Sequence, residues 1–220
     1  MGFILGIDEA GKGAIIGPLV IAGLLIKSQK EKKLKKLGVR DSKKISPKKR
    51  EELAEKIKKI SDDYIVFKIY PKQLNFEMEK RTLNEIELIR IAQIINSFQL
   101  RKPKIFVDSL EANEEKFKNK ILARLRDKEV EIVVENSADE KFVVVGGASI
   151  LAKVERDREI KKLQEKYGYF GSGYPSDERT IEFLKNLDIA KYQEIARLKW
   201  NTFERILKEK TQKKLDYFCS

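Results

Sequence analysis

The stretch Phe3-Ile-Leu-Gly-Ile-Asp-Glu-Ala-Gly-Lys-Gly13 begins as an apolar run and continues into two acids and a glycine-bounded turn. This pattern predicts a buried strand that ends at Asp8, followed by a tight turn. A second apolar run, Lys104-Ile-Phe-Val107, leads in the same way into Asp108. Open α/β sheets place their ligands at the carboxyl ends of parallel strands. We therefore expect Asp8 and Asp108 to meet in one crevice.

Glu9 complicates this expectation, because neighbouring residues of a strand point to opposite faces. Asp8 and Glu9 can reach one site only if the strand ends at Asp8 and the glycine turn redirects the chain. Carboxylates that lie close together repel each other unless a cation lies between them. Oxygen ligands without histidine or cysteine suit a hard ion such as Mg²⁺ or Mn²⁺. Asp139, which precedes a long helix, is a further candidate ligand, although alone it is typical of a helix start.

The rest of the chain predicts an α/β fold with a mixed five-stranded sheet, an antiparallel meander joined to parallel strands and flanked by helices. Further strands are predicted at residues 19–26, 64–69 and 131–134. Helices are predicted from Ser46-Pro47 to residue 60, after the capping box Thr82-x-x-Glu85, at about residues 113–126, from Gly147 to about Tyr167, and in the charged C-terminal region.

Composition excludes several kinds of chemistry. The 220 residues include no histidine and a single cysteine, which excludes Ser-His-Asp and Cys-His catalysis and histidine-ligated metal sites.

The net charge is +12, and residues 27–50 contain twelve Lys and Arg against only Glu31 and Asp41. Such a field attracts polyanions. No apolar run approaches the roughly 18 residues of a membrane span, so we expect a soluble protein with no membrane partner. The single cysteine, Cys219, forms no internal disulfide, which favours a reducing cytoplasm. The lack of a heptad pattern or a broad apolar surface favours a monomer.

Seven blocks in this order and spacing resemble ribonuclease HII, particularly its archaeal members, over about residues 3–185. The blocks are Gly6-Ile-Asp-Glu-Ala-Gly-Lys-Gly13 with Gly17-Pro18, Asp41-Ser-Lys-Lys44, Thr82-Leu-Asn-Glu85, Val107-Asp-Ser109, Ala138-Asp139, Ala148-Ser-Ile-Leu-Ala-Lys153 with Arg156-Asp-Arg158, and Gly171-Ser-Gly-Tyr-Pro-Ser-Asp177.

The resemblance implies a ribonuclease H-like catalytic domain at residues 1–185, with a helical extension at residues 186–220 that ends in a basic tail. It also implies an endoribonuclease that cuts the RNA strand of RNA–DNA hybrids and cuts at single ribonucleotides embedded in duplex DNA, in replication and ribonucleotide excision repair. The products would carry 5′-phosphate and 3′-hydroxyl ends. Two divalent ions, Mg²⁺ or Mn²⁺, would be held by the four acids Asp8, Glu9, Asp108 and Asp139.

The resemblance further implies that the main chain of Gly11, Lys12 and Gly13 approaches the ribose, and that the Tyr174 ring packs under the ribonucleotide. Helical spacing places Ser149, Lys153 and Arg156 at i, i+4 and i+7, which predicts a polar and cationic stripe along the nucleic-acid backbone. Further substrate candidates are Lys43, Lys44 and Asn84.

The segment Gln212-Lys-Lys-Leu-Asp-Tyr-Phe-Cys219 resembles the sliding-clamp-binding peptide of replication proteins, through Gln212, Leu215 and Phe218; the alternative is a mobile basic tail. Two other functions remain open from sequence. One is a different nuclease of the same fold, such as a junction resolvase, which has no need for the glycine turn and Tyr174. The other is a non-catalytic basic nucleic-acid-binding protein, which leaves the strand-end acids unexplained.

Overall fold

The computed structural model describes residues 2–39 and 46–218, with side chains up to residue 212. Contacts group the chain into two compact units. The first unit comprises Met1–Ala10, Val20–Phe67 and Thr82–Glu155, and the second comprises Gly11–Leu19, Lys68–Arg81 and Arg156–Ser220. The division expected at residue 185 stays a prediction.

A five-stranded sheet is the centre of the fold, with the strand order β3-β2-β1-β4-β5. Strand β1 pairs antiparallel with β2 and parallel with β4, and β4 pairs parallel with β5. The predicted mixed sheet of the α/β class is therefore confirmed. The strands are β1 (Phe3–Ala10), β2 (Leu19–Lys27), β3 (Asp63–Ile69), β4 (Lys104–Asp108) and β5 (Ile132–Glu135).

Ten α-helices lie within the described ranges. They are α1 (Glu31–Lys36), α2 (Pro47–Ile60), α3 (Pro71–Glu77), α4 (Leu83–Phe98), α5 (Glu114–Leu122), α6 (Ala138–Lys141), α7 (Val143–Tyr167), α8 (Glu178–Asn186), α9 (Tyr192–Ile195) and α10 (Asn201–Phe218). None of the helices in this part of the chain is long and apolar enough to span a membrane.

Two of the predicted helix starts have the side-chain caps that their sequences indicate. Ser46 accepts a hydrogen bond from the Lys49 N–H at 3.4 Å, and a proline occupies the first turn of α2. At α4, the Thr82 hydroxyl accepts from the Glu85 N–H at 3.3 Å while the Glu85 carboxylate accepts from the Thr82 N–H at 2.8 Å. These caps satisfy main-chain donors that have no partner inside the helix, so they fix where each helix begins.

Other predicted boundaries were wrong, in each case because tertiary contacts outweigh local preference. Helix α7 begins at Val143 rather than near Gly147, since the side chains of residues 143–145 are buried in the core. Helix α5 ends at Leu122 instead of residue 126. Beyond its end, Asn96 binds both the Arg124 carbonyl, at 3.4 Å, and the Arg126 N–H, at 3.0 Å, which holds this segment against α4.

The start of α7 packs closely against β1, and this contact depends on Gly6. A Cβ atom on Gly6 would lie 2.4 Å from the carbonyl carbon of Val144 and 2.5 Å from its oxygen. Real Cβ atoms do not come so close to main-chain atoms, so only glycine allows this approach. Because Gly6 lies two residues before Asp8, the same contact sets the distance between α7 and the carboxyl end of β1.

We expect Gly6→Ala to lower the free energy of unfolding by about 1–3 kcal/mol, because the added methyl group meets main chain that cannot rotate away. Denaturant unfolding of the purified variant measures the change. Gly2→Ala is the matched control, since a Cβ on Gly2 meets nothing within 4 Å. Equal stability of the two variants would contradict the close packing of α7 on β1.

Candidate active site

Asp8 and Asp108 meet at the carboxyl ends of two adjacent parallel strands. Ile7 of β1 is paired with Val107 of β4, so the residue that follows each of them lies at the same edge of the sheet. Oxygen atoms of Asp8, Glu9 and Asp108 all lie within 4.8 Å of one another. The predicted convergence of Asp8 and Asp108 is therefore confirmed, and Glu9 joins them.

Glu9 lies with Asp8 and Asp108, although the alternation of side chains along a strand predicts that Glu9 and Asp8 point to opposite faces. Strand β1 does not end at Asp8, because Glu9 and Ala10 continue the pairing with Ile21 and Val20 of β2. The Glu9 N–H donates a hydrogen bond of 2.7 Å to Asp8 Oδ1. This bond holds the Asp8 carboxylate along the strand, toward the following residue. The expectation that the strand must end at Asp8 was wrong.

Asp8 is a buried acid whose pKa is strongly raised. It is only 8% exposed, and its pKa is raised to about 7, with burial as the largest cause. The charges of Asp108 and Asp139 contribute to this rise, while the Ser149 hydroxyl and the Glu9 N–H favour the charged form and oppose it. Near neutral pH, a fraction of the Asp8 carboxyl groups is therefore protonated. A cation beside Asp8 would favour the ionised form.

Asp108 and Asp139 are linked through the start of a short helix. Asp108 Oδ1 accepts a hydrogen bond of 2.7 Å from the N–H of Ala138, the first residue of α6. Asp139 is the next residue, is 8% exposed, and lies close enough for its charge to raise the pKa of Asp8. Its carboxylate is a fourth negative group beside the three whose oxygens lie within 4.8 Å.

This donor set fits a divalent metal ion. Its ligands are carboxylate oxygens only, which Mg²⁺ and Mn²⁺ prefer to nitrogen or sulfur. The raised pKa of Asp8 shows that a negative charge at this buried position is unfavourable without a counter-charge. Asp8, Glu9 and Asp108 could therefore hold such an ion.

Glu87 is a buried acid that the sequence analysis missed. It stands on α4, is fully buried, and lines the same small pocket as Asp8, Glu9 and Asp108. A signal was present in the sequence. Glu87 lies four residues before Ile91, on the face of α4 that is otherwise apolar, and a charge in such a place is unusual.

The Gly11-Lys12-Gly13 turn packs beside the Tyr174 loop in the second unit. The N–H groups of Ile15 and Ile16 both donate to the Gly173 carbonyl, at 2.8 and 3.0 Å. A Cβ on Gly13 would lie 4.0 Å from the Tyr174 ring. The two elements expected to contact the ribonucleotide are thus neighbours in space, although about 160 positions separate them in the sequence.

The backbone conformation and the close packing at position 11 favour glycine. Its φ of +85° lies in the left-handed region. A Cβ there would also lie 2.9 Å from the Pro18 carbonyl oxygen and 2.9 Å from Arg156 Cδ. Arg156 therefore packs directly against the turn.

Two of the three residues in the polar and cationic stripe expected on α7 are buried, and the contact of the stripe with nucleic acid stays a prediction. Ser149 is fully buried and its hydroxyl faces Asp8, while Arg156 is 7% exposed. The Arg156 guanidinium donates to the Ser172 carbonyl at 2.8 Å and lies 4.6 Å from the centre of the Tyr174 ring. Lys153 is the stripe residue that remains partly exposed. The first half of α7 is buried on nearly all sides, so periodicity alone did not distinguish an outer face.

The remaining candidates for contact with the substrate or with a sliding clamp are described in part by the structure. Asn84, at the start of α4, is partly buried and lines a cleft of about 270 Å³ with residues that include Glu111 and Arg124. Lys43 and Lys44 lie outside the described residues. Gln212 is exposed on α10, and the same helix contains Leu215 and Phe218.

Comparison with known proteins gives consistent matches. The family model for ribonuclease HII matches residues 5–203. Ribonuclease HII of Thermococcus onnurineus is 41% identical over 214 residues, which are 96% of this chain and 92% of that protein. The similarity in sequence therefore extends over nearly the whole chain.

Solved structures agree with the sequence matches. Ribonuclease H2 from Pyrococcus horikoshii OT3 has a TM-score of 0.86 at 40% identity, covering 95% of this chain and 99% of that one. The PCNA:RNase HII complex from Archaeoglobus fulgidus includes a chain with a TM-score of 0.81 at 44% identity, covering 90% of this chain and 95% of that one. The fold is therefore the one that these enzymes share.

We expect the affinity for Mg²⁺ to increase about tenfold between pH 6 and pH 8, because the Asp8 proton, with a pKa of about 7, must leave before a cation binds. Calorimetric titration of the metal-free protein at several pH values measures the affinity. Asp108→Asn should lower the pKa of Asp8, because it removes one of the charges that raise it. Affinity that does not change between pH 6 and pH 8 would contradict a proton on Asp8.

Proposed function

The chain belongs to the ribonuclease HII family, and we propose that it cuts the RNA strand of RNA–DNA hybrids and cuts at single ribonucleotides embedded in duplex DNA. It is a metal-dependent endoribonuclease of the ribonuclease H type. The observation that supports metal-dependent hydrolysis of a phosphodiester best is the convergence of Asp8, Glu9 and Asp108 at one edge of the sheet. Cleavage would leave 5′-phosphate and 3′-hydroxyl ends and would serve replication and ribonucleotide repair.

The four acids Asp8, Glu9, Asp108 and Asp139 hold two divalent ions, Mg²⁺ or Mn²⁺, in this proposal. Metal ions in such sites lower the pKa of a bound water and neutralise charge on the leaving oxygen. The chain's own contribution is to hold the carboxylates in fixed positions. The Ala138 N–H orients Asp108, and the Ser149 hydroxyl favours the charged form of Asp8. Ligands that are already oriented need little rearrangement during the reaction.

Selection of RNA over DNA requires contact with the 2′-hydroxyl, which alone distinguishes the two at one nucleotide. We assign this contact to the main chain of Gly11, Lys12 and Gly13, where the absence of Cβ atoms at the glycines permits close approach. The ring of Tyr174 packs under the ribonucleotide. Its position next to Gly13 supports this assignment, because both groups can then contact one sugar.

Positive charge elsewhere in the chain supports binding of the phosphate backbone. The net charge is +12, and much of it lies in residues 27–50, which include Lys43 and Lys44. Lys153 is partly exposed and Asn84 lines a solvent cleft, so both remain proposed contacts with the nucleic acid. Phosphate contacts orient a protein on its substrate without reading the sequence.

We expect Asp8→Asn and Asp108→Asn each to lower kcat on the order of 10²-fold or more, because each removes a charge from the proposed metal site. The assay compares a duplex that carries one ribonucleotide with the same duplex made entirely of DNA, with and without EDTA. Asp127→Asn is a matched control, since Asp127 is an exposed loop acid. Wild-type kcat in either site variant would contradict the assignment, and cutting of the all-DNA duplex would indicate a different nuclease of this fold.

The C-terminal tail is the proposed contact with a sliding clamp, through Gln212, Leu215 and Phe218. A structurally similar relative has been solved in a complex with PCNA, which supports the same partner here. Gln212 is exposed on α10, where a partner can reach it.

Removal of residues 212–220 should abolish clamp binding while leaving cleavage of the free duplex unchanged, because this segment contains none of the four acids. Calorimetric titration with the clamp measures the binding. An unchanged titration curve would identify the segment as a tail without this partner.

A further inference from the structure

Arg197 is the largest fully buried side chain among the described residues, and no step of the proposed reaction uses it. It lies in the second unit, between α9 and α10, in the segment that follows Ala196. Burying a guanidinium is unfavourable, and an apolar side chain of similar volume would avoid that cost. An arginine in this place therefore needs an explanation beyond packing.

The polar contacts of Arg197 converge on the segment that contains the glycine turn. Its Nη1 donates to the Lys12 carbonyl at 3.0 Å, and its Nε donates to the Gly17 carbonyl at 3.0 Å. Its main-chain N–H donates to the Ile15 carbonyl at 2.9 Å. The guanidinium carbon also lies 5.0 Å from the centre of the Trp200 ring. One residue thus holds three carbonyl groups between positions 12 and 17.

The contact with the Lys12 carbonyl fixes the direction of a neighbouring donor. In a planar trans peptide unit, the C=O and the N–H point in opposite directions. The Lys12 carbonyl points toward the buried guanidinium, so the N–H of Gly13 points away from it. Gly13 is an exposed residue. Its N–H therefore lies on the side of the peptide unit away from the buried guanidinium, where a ligand can approach.

We propose that Arg197 is a positioning residue for ribonucleotide recognition, because it orients the Lys12–Gly13 peptide so that the Gly13 N–H faces the sugar of the bound nucleotide. This inference rests on the proposed function, in which the turn contacts the ribose. Arg197 acts through the turn and does not itself touch the substrate. Its planar fork suits the task, since two nitrogens of one rigid group hold two separate carbonyls.

The test uses two variants of the full chain. Arg197→Met keeps much of the volume but loses both side-chain hydrogen bonds, and Arg197→Lys keeps the charge without the fork. We expect kcat on a duplex with one ribonucleotide to fall about 100-fold in the Met variant and about tenfold in the Lys variant, since a small misplacement of a positioning group has effects of this size. KM and the affinity for Mn²⁺ should stay close to wild type.

Tyr192→Phe is the matched control for a general loss of stability in the same unit. Tyr192 is buried, and its hydroxyl donates to the Leu184 carbonyl at 2.7 Å instead of to the turn. This variant should keep the wild-type kcat. Circular dichroism and thermal unfolding establish that each variant is folded at the assay temperature, and the Lys variant decides the question if the Met variant does not fold.

An NMR spectrum of protein labelled with ¹⁵N-glycine reports directly on the conformation of the turn. The Gly13 amide resonance should shift in both Arg197 variants and stay in place in Tyr192→Phe. Folded Arg197 variants with wild-type kcat and an unmoved Gly13 resonance would overturn the proposal. If the wild-type enzyme does not cut the ribonucleotide substrate, the proposed function fails instead, and the Gly13 resonance still decides whether Arg197 orients the turn.

Discussion

Burial of the Asp8 carboxylate beside other carboxylates is the constraint on which the rest of the site depends. Asp8, Glu9 and Asp108 lie with oxygens within 4.8 Å of one another, and the charge of Asp139 also reaches Asp8. The pKa of Asp8 rises to about 7 because burial and these neighbours disfavour its charge. A protein gains nothing in stability from such an arrangement. Its value lies in the strong attraction that it offers to divalent cations, which a metal-dependent endoribonuclease requires.

Ordinary features of the fold hold these charges in place. Parallel pairing of β1 with β4 brings the two strand ends together, and Gly6 lets α7 approach β1 within main-chain contact distance. That approach places the Ser149 hydroxyl against Asp8, while the Ala138 N–H binds Asp108. In the second unit, Arg197 and Arg156 hold the glycine turn and Tyr174 in a similar way. The functional groups are thus few, and much of the surrounding structure serves to orient them.

The sequence predicted the features that depend on local patterns. Apolar runs ending in acids predicted the convergence of Asp8 and Asp108, and capping residues predicted the starts of α2 and α4. Features that depend on which face of an element meets the core were not predictable in this way. Alternation misplaced the end of β1, because pairing with β2 continues to Ala10. Helical spacing did not reveal that Ser149 and Arg156 are buried, since α7 is buried on nearly all sides up to Val154 and Arg156 packs against the glycine turn. Glu87 was missed, although a charge on an otherwise apolar helix face is a signal that the sequence contains.

X-ray diffraction at the manganese absorption edge, from crystals soaked with Mn²⁺, tests the proposed metal site most directly. Anomalous scattering locates the ion without reference to activity. The account predicts a strong peak among the carboxylates of Asp8, Glu9 and Asp108, and loss of that peak in Asp108→Asn. Crystals with full Mn²⁺ occupancy elsewhere and no peak among these carboxylates would contradict it.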